Sequence, residues 1–349
     1  MALTARSQGS SRIREFDLIR ALKRRYAKGS PKIVRGIGDD AAVIIPKASR
    51  PLLLTTDLLA EGVHFDRDTA AFADIGFRAA AANLSDIAAM GGTPEYLLVS
   101  LAIPRHGTAR QVEQLYDGMM AACRSHEAKL IGGDTSASHG GWFVNITVVG
   151  STTLGRTLFR DGAEVGDDLY VTGTLGDSEA GLQLLHRRHG TGTGLIAPRH
   201  RRFLIGRHLR PPARIREGRW LSNGRWASSA IDVSDGLSGD LRHLCAESDV
   251  GAVIELEALP ISSACRHYAE RTKQNAQVLA LGGGEDYELL FTVPVRKRAR
   301  FQRASAQQRL QVTKIGRITP VEEGLCMTLA DGQQRPLPFS SYEHFRSRQ

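Results

Sequence analysis

Cysteine is scarce in this chain, and its placement excludes two kinds of cysteine-based architecture. Four cysteines occur in 349 residues, at positions 123, 245, 265 and 326. Because no two of them form a CxxC pair, the sequence predicts neither a zinc site nor a disulfide framework. Isolated cysteines of this kind are typical of reduced thiols, so we expect a cytoplasmic protein.

Long apolar runs are also absent. No stretch of about 18 apolar residues, the length that crosses a bilayer, occurs in the sequence, and no membrane contact is predicted. The first 14 residues, MALTARSQGSSRIR, are basic but contain no apolar h-region, which argues against a secretory signal. We expect residues 1–14 to form a disordered basic tail.

Aromatic residues make up only 6% of the chain and do not interleave with its basic residues. The formal net charge is +9, but Lys and Arg are scattered, and their richest groups lie at 23–25, 199–202 and 296–300. Without an aromatic-interleaved basic stripe, nucleic-acid binding is not predicted. The excess of positive charge instead favours the attraction of anionic small molecules.

Aspartate, in contrast, stands at the ends of short apolar runs near the N-terminus. The runs 41–45 and 52–54 are predicted to be buried strands, with Asp39 and Asp40 before the first run and Asp57 after the second. Carboxylates held at the edge of a core can bind a hard cation. A single Gly-Asp-Asp is more often a turn, so this segment alone leaves both interpretations open.

The same arrangement recurs later in the chain. LIGGDT contains Asp134, AIDVSDG contains Asp232 and Asp235, and LALGGGED ends with Glu285 and Asp286. Turn chemistry alone does not readily explain five such junctions. If the acids converge, their mutual repulsion would raise pKa values and cost stability unless cations bind among them. We therefore predict a cluster of bound metal ions.

A helix predicted over residues 72–90 carries another candidate acid. Ile75, Ala79 and Ala82 share one face of this helix with Asp86. An acid beside an apolar stripe is either a surface residue at its edge or a group directed at a site. Because other acids recur in the chain, we favour the site.

Helices and strands mixed along the chain predict an α/β (α+β) fold with two domains. One helix begins with Thr108 and Gln111 in the arrangement of a capping box. The segment 155–168 is predicted to be a hinge, so we expect the domains at residues 15–152 and 153–349. The predicted helices also cover 15–27, 108–127, 179–188, 213–221 and 237–247, and the predicted strands cover 97–103, 144–150, 169–172, 252–256 and 289–293.

Two features of the second half are weaker candidates for phosphate contacts. The segment from Gly173 to Ser178 resembles a helix start that cradles phosphate, but it lacks the GKS or GKT ending of a P-loop. Arg156 and Arg160 are candidate cations, although an arginine between domains is more often a structural tie.

Seven short motifs, in order along the chain, resemble those of the thiamine-monophosphate kinase family. They are GIGDDAAV, TTDLLAEGVHF, NLSDIAAMGG, LIGGDT, TGTLGDSEAGL, SAIDVSDGL and GGGEDYELLF, and they span residues 36–291. That family belongs to the superfamily of aminoimidazole ribonucleotide synthetase and selenophosphate synthetase. The resemblance implies a synthetase-like fold whose N-terminal sheet forms the interface of a homodimer, with an α/β domain following it.

The resemblance also implies an activity and a set of site residues. The reaction would be the last step of thiamine diphosphate biosynthesis, in which ATP phosphorylates thiamine monophosphate with several Mg²⁺ ions bound. By motif match, the implied magnesium ligands are Asp40, Thr55, Thr56, Asp57, Asp86, Asp134, Asp232 and Asp235. The implied ATP contacts are Gly133, Asp134, Arg160 and Ser234, and the implied contacts to thiamine monophosphate are His64, Glu285 and Tyr342. Asp39 would not bind Mg²⁺ itself but would lie beside the residues that do.

Phosphate chemistry explains why no catalytic base is expected. A phosphate monoester has a second pKa of about 6, so its attacking oxygen is largely an anion at pH 7. The obstacle is the meeting of two polyanions, which metal ligands and Arg160 would neutralise and align. His64 is therefore assigned to substrate contact rather than to proton transfer.

Three alternatives stay open at this point. Another ATP-dependent synthetase of the superfamily is one, although the selenophosphate branch would carry an N-terminal catalytic cysteine, and the first cysteine here is Cys123. A non-catalytic nucleotide- or metal-binding regulator is the second, and the complete set of acids argues against it. A basic RNA-binding protein is the third, and its affinity would have to fall steeply with salt.

Overall fold

A computed structural model of the chain describes residues 50–186 and 196–338, together with 22, 24–26, 33–35, 43–44 and 46. In these ranges no helix is long and apolar enough to cross a membrane. Several predictions lie outside the described residues. They concern the basic tail, Asp39, Asp40 and Tyr342.

The N-terminal half is built on a four-stranded sheet with helices on one face. Its strands are β3 (Leu52–Ala60), β4 (Thr93–Pro104), β5 (Lys129–Ser138) and β6 (Phe143–Ser151), preceded by the short pair β1 (Ile33–Arg35) and β2 (Val43–Ile44). The order in the sheet is β3-β6-β4-β5, so β3 and β5 are its two edges. The helices are α1 (Phe72–Ala89) and α2 (Ala109–Cys123).

Helices α1 and α2 approach each other closely through two glycines. A Cβ on Gly76 would lie 1.9 Å from the Leu115 carbonyl oxygen, and a Cβ on Gly118 would lie 1.8 Å from the Ala73 carbonyl oxygen. Any side chain at either position would therefore force the two helices apart. The close contact fixes α1, the helix that carries Asp86, against its neighbour.

The start of α2 confirms the predicted capping box. The Thr108 hydroxyl accepts a hydrogen bond from the Gln111 backbone N–H at 3.3 Å, and the Gln111 side chain accepts one from the Thr108 N–H at 2.8 Å. The predicted end at Glu127 was too late. The helix ends at Cys123, and a 3₁₀ turn follows over Arg124–His126.

The C-terminal half contains a seven-stranded sheet. Its strands are β7 (Asp168–Thr172), β8 (Ser229–Val233), β9 (Gly251–Glu255), β10 (Glu288–Val293), β11 (Val312–Thr319), β12 (Leu325–Thr328) and β13 (Gln334–Pro336), in the order β13-β12-β9-β11-β7-β10-β8. Its helices are α3 (Asp177–His186), α4 (Pro198–Leu209), α5 (Ile215–Asn223), α6 (Leu237–Ser248), α7 (Ser263–Thr272), α8 (Ala276–Gly282) and α9 (Arg298–Gln307).

One apolar core joins the two halves. It runs from the inner face of the N-terminal sheet through α1 and α2 to one face of the C-terminal sheet, and it includes Leu97, Ile146 and Phe291. The other face of the C-terminal sheet packs on its own helices through residues such as Leu290 and Tyr268. Because α1 also contacts strand β8, acidic residues from the two halves can meet beside it.

Candidate functional site

A cleft of about 1010 Å³ lies between the β3–α1 side of the N-terminal half and the loops of the C-terminal half. Many of the residues proposed from the sequence border it. They are Thr56, Asp57, His64, Asp86, Asp232, Ser234, Asp235 and Glu285. The structure therefore brings together acids that are nearly 230 residues apart in the chain, as the prediction of convergence requires.

Helix α1 supplies a stripe along the cleft. Arg78, Ala82 and Asp86, spaced by four residues, all border it. At a rise of about 1.5 Å per residue, the backbones of Arg78 and Asp86 are about 12 Å apart along the helix axis. The cleft thus has an acidic end at Asp86 and a second polar end at Arg78.

Asp57 reaches the cleft from inside a strand, and the prediction that it follows the strand was wrong. Strand β3 continues to Ala60 and pairs with β6 along its whole length. Because side chains alternate along a strand, Thr55 and Asp57 share the inner face with the buried Leu53 and Leu59. The polar residues 55–57 do not end the strand, because they pair as regularly as the leucines.

The acidic end contains three carboxylates that repel one another. The Thr55 hydroxyl donates to Asp86, and the Ser85 hydroxyl donates to Asp232 at 2.7 Å. Burial and the Asp86 charge raise the pKa of Asp57 to about 6 and that of Asp232 to about 7. Burial also raises the pKa of Asp86, although Thr55 and Arg160 oppose it.

Arg160 supplies positive charge that acts on two of these acids. Its side chain is exposed, yet its charge lowers the pKa of both Asp86 and Asp232. Its backbone is held where its carbonyl accepts a hydrogen bond from the Ser248 hydroxyl at 2.6 Å. Arg156 behaves differently, because its guanidinium donates to the Asn223 carbonyl at 3.1 Å and so ties two segments together.

Asp240 belongs to the acidic end but was missed in the sequence analysis. Its Oδ2 accepts hydrogen bonds from the backbone N–H groups of Ser234 and Asp235, both at 3.1 Å. Burial, together with the charges of Asp232 and Asp235, raises its pKa well above the ordinary value. The available signal was its place in the first turn of α6, where an acid commonly accepts from preceding N–H groups.

Three residues proposed from the sequence are not directed into the cleft of this chain. Asp134 and Gly133 lie within β5, at the other edge of the sheet, and Asp134 is exposed. Strand β5 continues past Asp134 to Ser138, so this acid lies inside the strand. Thr56 borders the cleft, but its hydroxyl accepts from Thr147 at 3.0 Å on the exposed face of the sheet.

The glycine-rich start of α3 does not present a free phosphate cradle. Asp286 accepts hydrogen bonds from the N–H groups of Gly176 at 2.6 Å and Ser178 at 3.0 Å. A carboxylate of the chain itself therefore satisfies this helix N-terminus. Asp286 is fully buried, and burial raises its pKa to about 7 despite the opposing charge of Arg207.

At the second polar end of the cleft, His64 and Glu285 lie near Arg78. The His64 ring accepts a hydrogen bond from the Ala60 N–H at 3.0 Å, and its carbonyl accepts one from Arg78 at 2.6 Å. Glu285 forms an ion pair with Arg78. The histidine and the glutamate assigned to one substrate are thus connected through a single buried arginine.

The chemistry of the acidic end suits a hard divalent cation. Carboxylate oxygens are the ligands that Mg²⁺ prefers. A cation among Asp57, Asp86 and Asp232 would offset the cost of burying these carboxylates and the repulsion that adds to the rise in pKa of Asp57 and Asp232. Within the described part of the chain, however, no three acidic, histidine or cysteine side chains already form a coordination set.

Comparison with protein families identifies both halves of the chain. Residues 38–152 match the family described as AIR synthase related protein, N-terminal domain, and residues 164–325 match AIR synthase related protein, C-terminal domain. Thiamine-monophosphate kinase of Escherichia coli K12 is 40% identical over 331 residues, which cover 95% of this chain and 98% of the relative. The Aquifex aeolicus enzyme is 39% identical, covering 89% of this chain and 92% of its own.

Solved structures give the same result. Thiamine-monophosphate kinase from Stenotrophomonas maltophilia superposes with a TM-score of 0.78 at 38% identity, covering 91% of this chain and 95% of that one. A structure described as AaThiL complexed with AMPPCP and TMP superposes with a TM-score of 0.75 at 37% identity, covering 95% and 97%. Hydrogenase maturation protein HypE shares the fold at 20% identity and a TM-score of 0.70.

Proposed function

Because the chain belongs to the thiamine-monophosphate kinase family, we infer that it transfers the γ-phosphoryl group of ATP to thiamine monophosphate, giving thiamine diphosphate and ADP. The likeness to a relative solved with AMPPCP and TMP, over 95% of this chain, carries the inference. The cleft supports this inference, because one cavity contains both the acidic end at Asp86 and the second polar end at Arg78.

The acidic end is proposed to bind Mg²⁺ through Asp57, Asp86 and Asp232, with Asp235 alongside. Bound Mg²⁺ would neutralise the phosphate oxygens of the two substrates. The carboxylates of this chain would hold that positive charge beside α1, and the Ser85 and Thr55 hydroxyls fix the orientation of Asp232 and Asp86. Asp40 lies outside the described residues and stays a predicted ligand.

Separate sets of residues are assigned to the nucleotide and to the acceptor. Arg160 and Ser234 are proposed to contact ATP, since Arg160 already acts on Asp86 and Asp232 and Ser234 borders the cleft. His64 and Glu285 are proposed to contact thiamine monophosphate. No side chain is assigned as a general base, because the attacking phosphate oxygen is largely ionised at pH 7. Tyr342 stays a predicted substrate contact.

We propose that the chain forms a homodimer through the exposed face of the N-terminal sheet. Leu52, Leu54 and Leu58 project from that face of β3, and Leu54 is 70% exposed. Exposed leucines at alternate positions form an apolar surface that a second copy can cover. Asp134, which is paired with the exposed Ser100, lies on the same face and would sit at the interface. Substituting Leu54→Glu should convert the dimer to a monomer in sedimentation velocity, and an unchanged mass would contradict this arrangement.

The proposed location is the cytoplasm. All four cysteines are free thiols. Burial raises the pKa of the thiols of Cys123, Cys245 and Cys265 to about 12, so these groups are kept protonated and unreactive. This state suits a reducing compartment.

A coupled assay tests the proposed function directly. The purified protein is incubated with ATP, Mg²⁺ and thiamine monophosphate, and ADP and thiamine diphosphate are both measured. Free thiamine serves as the control acceptor, and EDTA as the control for the metal. Formation of thiamine diphosphate from the monophosphate alone, lost on adding EDTA, is the expected result. ATP binding without any product would move the substrate to another compound.

A further inference from the structure

Arg78 is a buried arginine at the second polar end of the cleft, and each of its guanidinium nitrogens contacts another residue. Its side-chain surface is 6% exposed. Its Nε lies 3.1 Å from Glu285 Oε1, its Nη1 lies 3.1 Å from His208 Nε2, and its Nη2 donates to the His64 carbonyl at 2.6 Å. Arg78 therefore joins helix α1 to helix α4 and to the loop that carries Glu285.

The proton on His208 follows from these contacts. Arginine has no acceptor, so Nε2 of His208 must accept from Arg78. The ring then carries its proton on Nδ1, which lies 3.1 Å from the Ser178 hydroxyl. Burial and the Arg78 charge lower the pKa of His208 to about 3, so the ring is neutral at pH 7. Within this cluster, the positive charge that faces Glu285 is that of Arg78.

Glu285 is held from two directions and still presents one oxygen to the cleft. Its backbone has a left-handed φ of 64°, and its N–H donates to the Ser234 carbonyl at 2.8 Å. Arg78 takes Oε1, whereas Oε2 lies 3.7 Å from His208 Nδ1. No group in the described ranges donates a hydrogen bond to Oε2, and the Glu285 side chain is 26% exposed.

The distance along α1 assigns an occupant to that oxygen. The phosphate of the acceptor must lie near Asp86, so the rings of thiamine monophosphate extend toward Arg78, about 12 Å along the helix. Those rings comprise a cationic thiazolium and an aminopyrimidine whose amino group is a donor. A carboxylate oxygen is complementary to both. Because Glu285 neutralises Arg78, this end of the cleft does not attract the phosphate.

We propose that Arg78 is a positioning residue: it orients Glu285 so that Oε2 receives the ring end of thiamine monophosphate and the phosphate end is directed to the acids. The inference rests on the proposed function, since it presupposes that acceptor. His208 supports Arg78 as a neutral acceptor.

The test separates the binding of the acceptor from that of ATP. The substitution Arg78→Met should raise KM for thiamine monophosphate by at least about tenfold, equivalent to ~1.4 kcal/mol, and leave KM for ATP within about twofold. Arg78→Lys should give an intermediate KM, because a single ammonium nitrogen cannot occupy the three positions from which Nε, Nη1 and Nη2 of Arg78 reach Glu285, His208 and the His64 carbonyl. It also keeps the test valid if Arg78→Met fails to fold.

A double-mutant cycle adds a readout that a purely structural role would not produce. If Arg78 acts through Glu285, the variant with Arg78→Met and Glu285→Gln should have a KM no higher than the worse single variant. Calorimetric binding of thiamine monophosphate without ATP should give the same ranking. The matched control is Arg210→Met, which removes another arginine bonded to α1, at Asp74 Oδ1 2.6 Å away, and should leave both KM values unchanged.

The outcomes distinguish this inference from the proposed function. If the unsubstituted protein makes no thiamine diphosphate, the proposed function is wrong. If it does, but Arg78→Lys and Arg78→Met keep its KM for thiamine monophosphate, or raise both KM values equally, the positioning role is wrong.

Discussion

Two groups of acids in this chain, each partly or fully buried, have opposite surroundings. At the cleft, Asp57, Asp86 and Asp232 face one another, and the cation that acts on two of them, Arg160, is exposed. In the C-terminal sheet, Glu288 is bound by Arg207 at 2.7 Å and by Arg214 at 2.6 Å. Asp232 and Glu288 are both buried, but only Glu288 has its charge neutralised within the protein.

The pKa values record this difference. Burial raises the pKa of Asp232 to about 7, and its acidic neighbours add to that effect. Burial would also raise the pKa of Glu288, but Arg214 and Arg207 hold it below its ordinary value. Arg207 and Arg214 neutralise Glu288 within the protein, whereas Asp86 and Asp232 have hydroxyl partners and an exposed arginine, so a cation from outside would supply the missing charge. The comparison therefore separates structural acids from the proposed metal ligands.

The largest expected effect tests whether the acids at the cleft are metal ligands. Substituting Asp232→Asn should lower kcat by at least about 10³-fold, or ~4 kcal/mol, because it removes charge from the metal site. The amide can still accept from Ser85, and one source of repulsion is lost, so the free energy of unfolding should stay equal or rise. Steady-state kinetics and urea unfolding measure the two quantities. A variant with normal kcat, or one that is strongly destabilised, would place Asp232 among the structural acids.

The second effect tests whether Glu288 and its two arginines stabilise the fold. Glu288→Gln should lower the free energy of unfolding by about 3 kcal/mol, because two guanidiniums that are only 13% and 18% exposed lose their counter-charge. Its matched control is Asp168→Asn, an equally buried acid whose partners Arg298 and Lys314 are 42% and 37% exposed. Those partners can turn to water, so the control should lose less stability.

Urea unfolding of both variants at pH 7 makes this measurement, and kcat of the folded fraction should change little in either. Equal losses in the two variants would show that burial of the partners does not set the cost. A large loss of kcat in Glu288→Gln would instead extend the functional site to the sheet.

The smallest effect concerns Asp286, a buried acid that accepts hydrogen bonds but forms no ion pair in the described ranges. Asp286 has a pKa of about 7 in the folded protein, so it keeps its proton after an unfolded aspartate has lost its own near about pH 4. Its contribution to stability is therefore greatest below pH 4 and is lost as the pH rises to about 7. Asp286→Asn should remove this component, a slope of at most about 1.4 kcal/mol per pH unit. Unfolding free energies at pH 5 and pH 6 measure it, and the same slope in both proteins would contradict the assignment.

Local sequence patterns predicted much of the fold. Helix α1 was predicted to end at Met90 and ends at Ala89, and the capping box at Thr108 was found. Helix α4 was missed because its surface is rich in arginine, including Arg199 and Arg202, and its apolar period is correspondingly weak. A helix with a weak apolar period gives little signal in the local sequence, because its stability comes from tertiary contacts rather than from propensity.

The candidate site was predictable only in part, for a related reason. Acids such as Asp86 and Asp232 follow recognisable motifs, so their residue types could be selected without knowledge of their contacts. Arg78 has no local signature, because its partners Glu285 and His208 are 207 and 130 residues away in the chain. A role defined by contacts across the fold appears only in the folded structure.

The glycine contact between α1 and α2 has a consequence for mutational tolerance. Gly76 and Gly118 carry no side chain and lie on the helix–helix contact rather than at the cleft, yet a methyl group at either would meet a backbone carbonyl closer than 2 Å. A complete substitution scan of this chain should therefore show intolerance along the contact between these helices as well as along the cleft. Neither glycine can be replaced without moving the helix that carries Asp86.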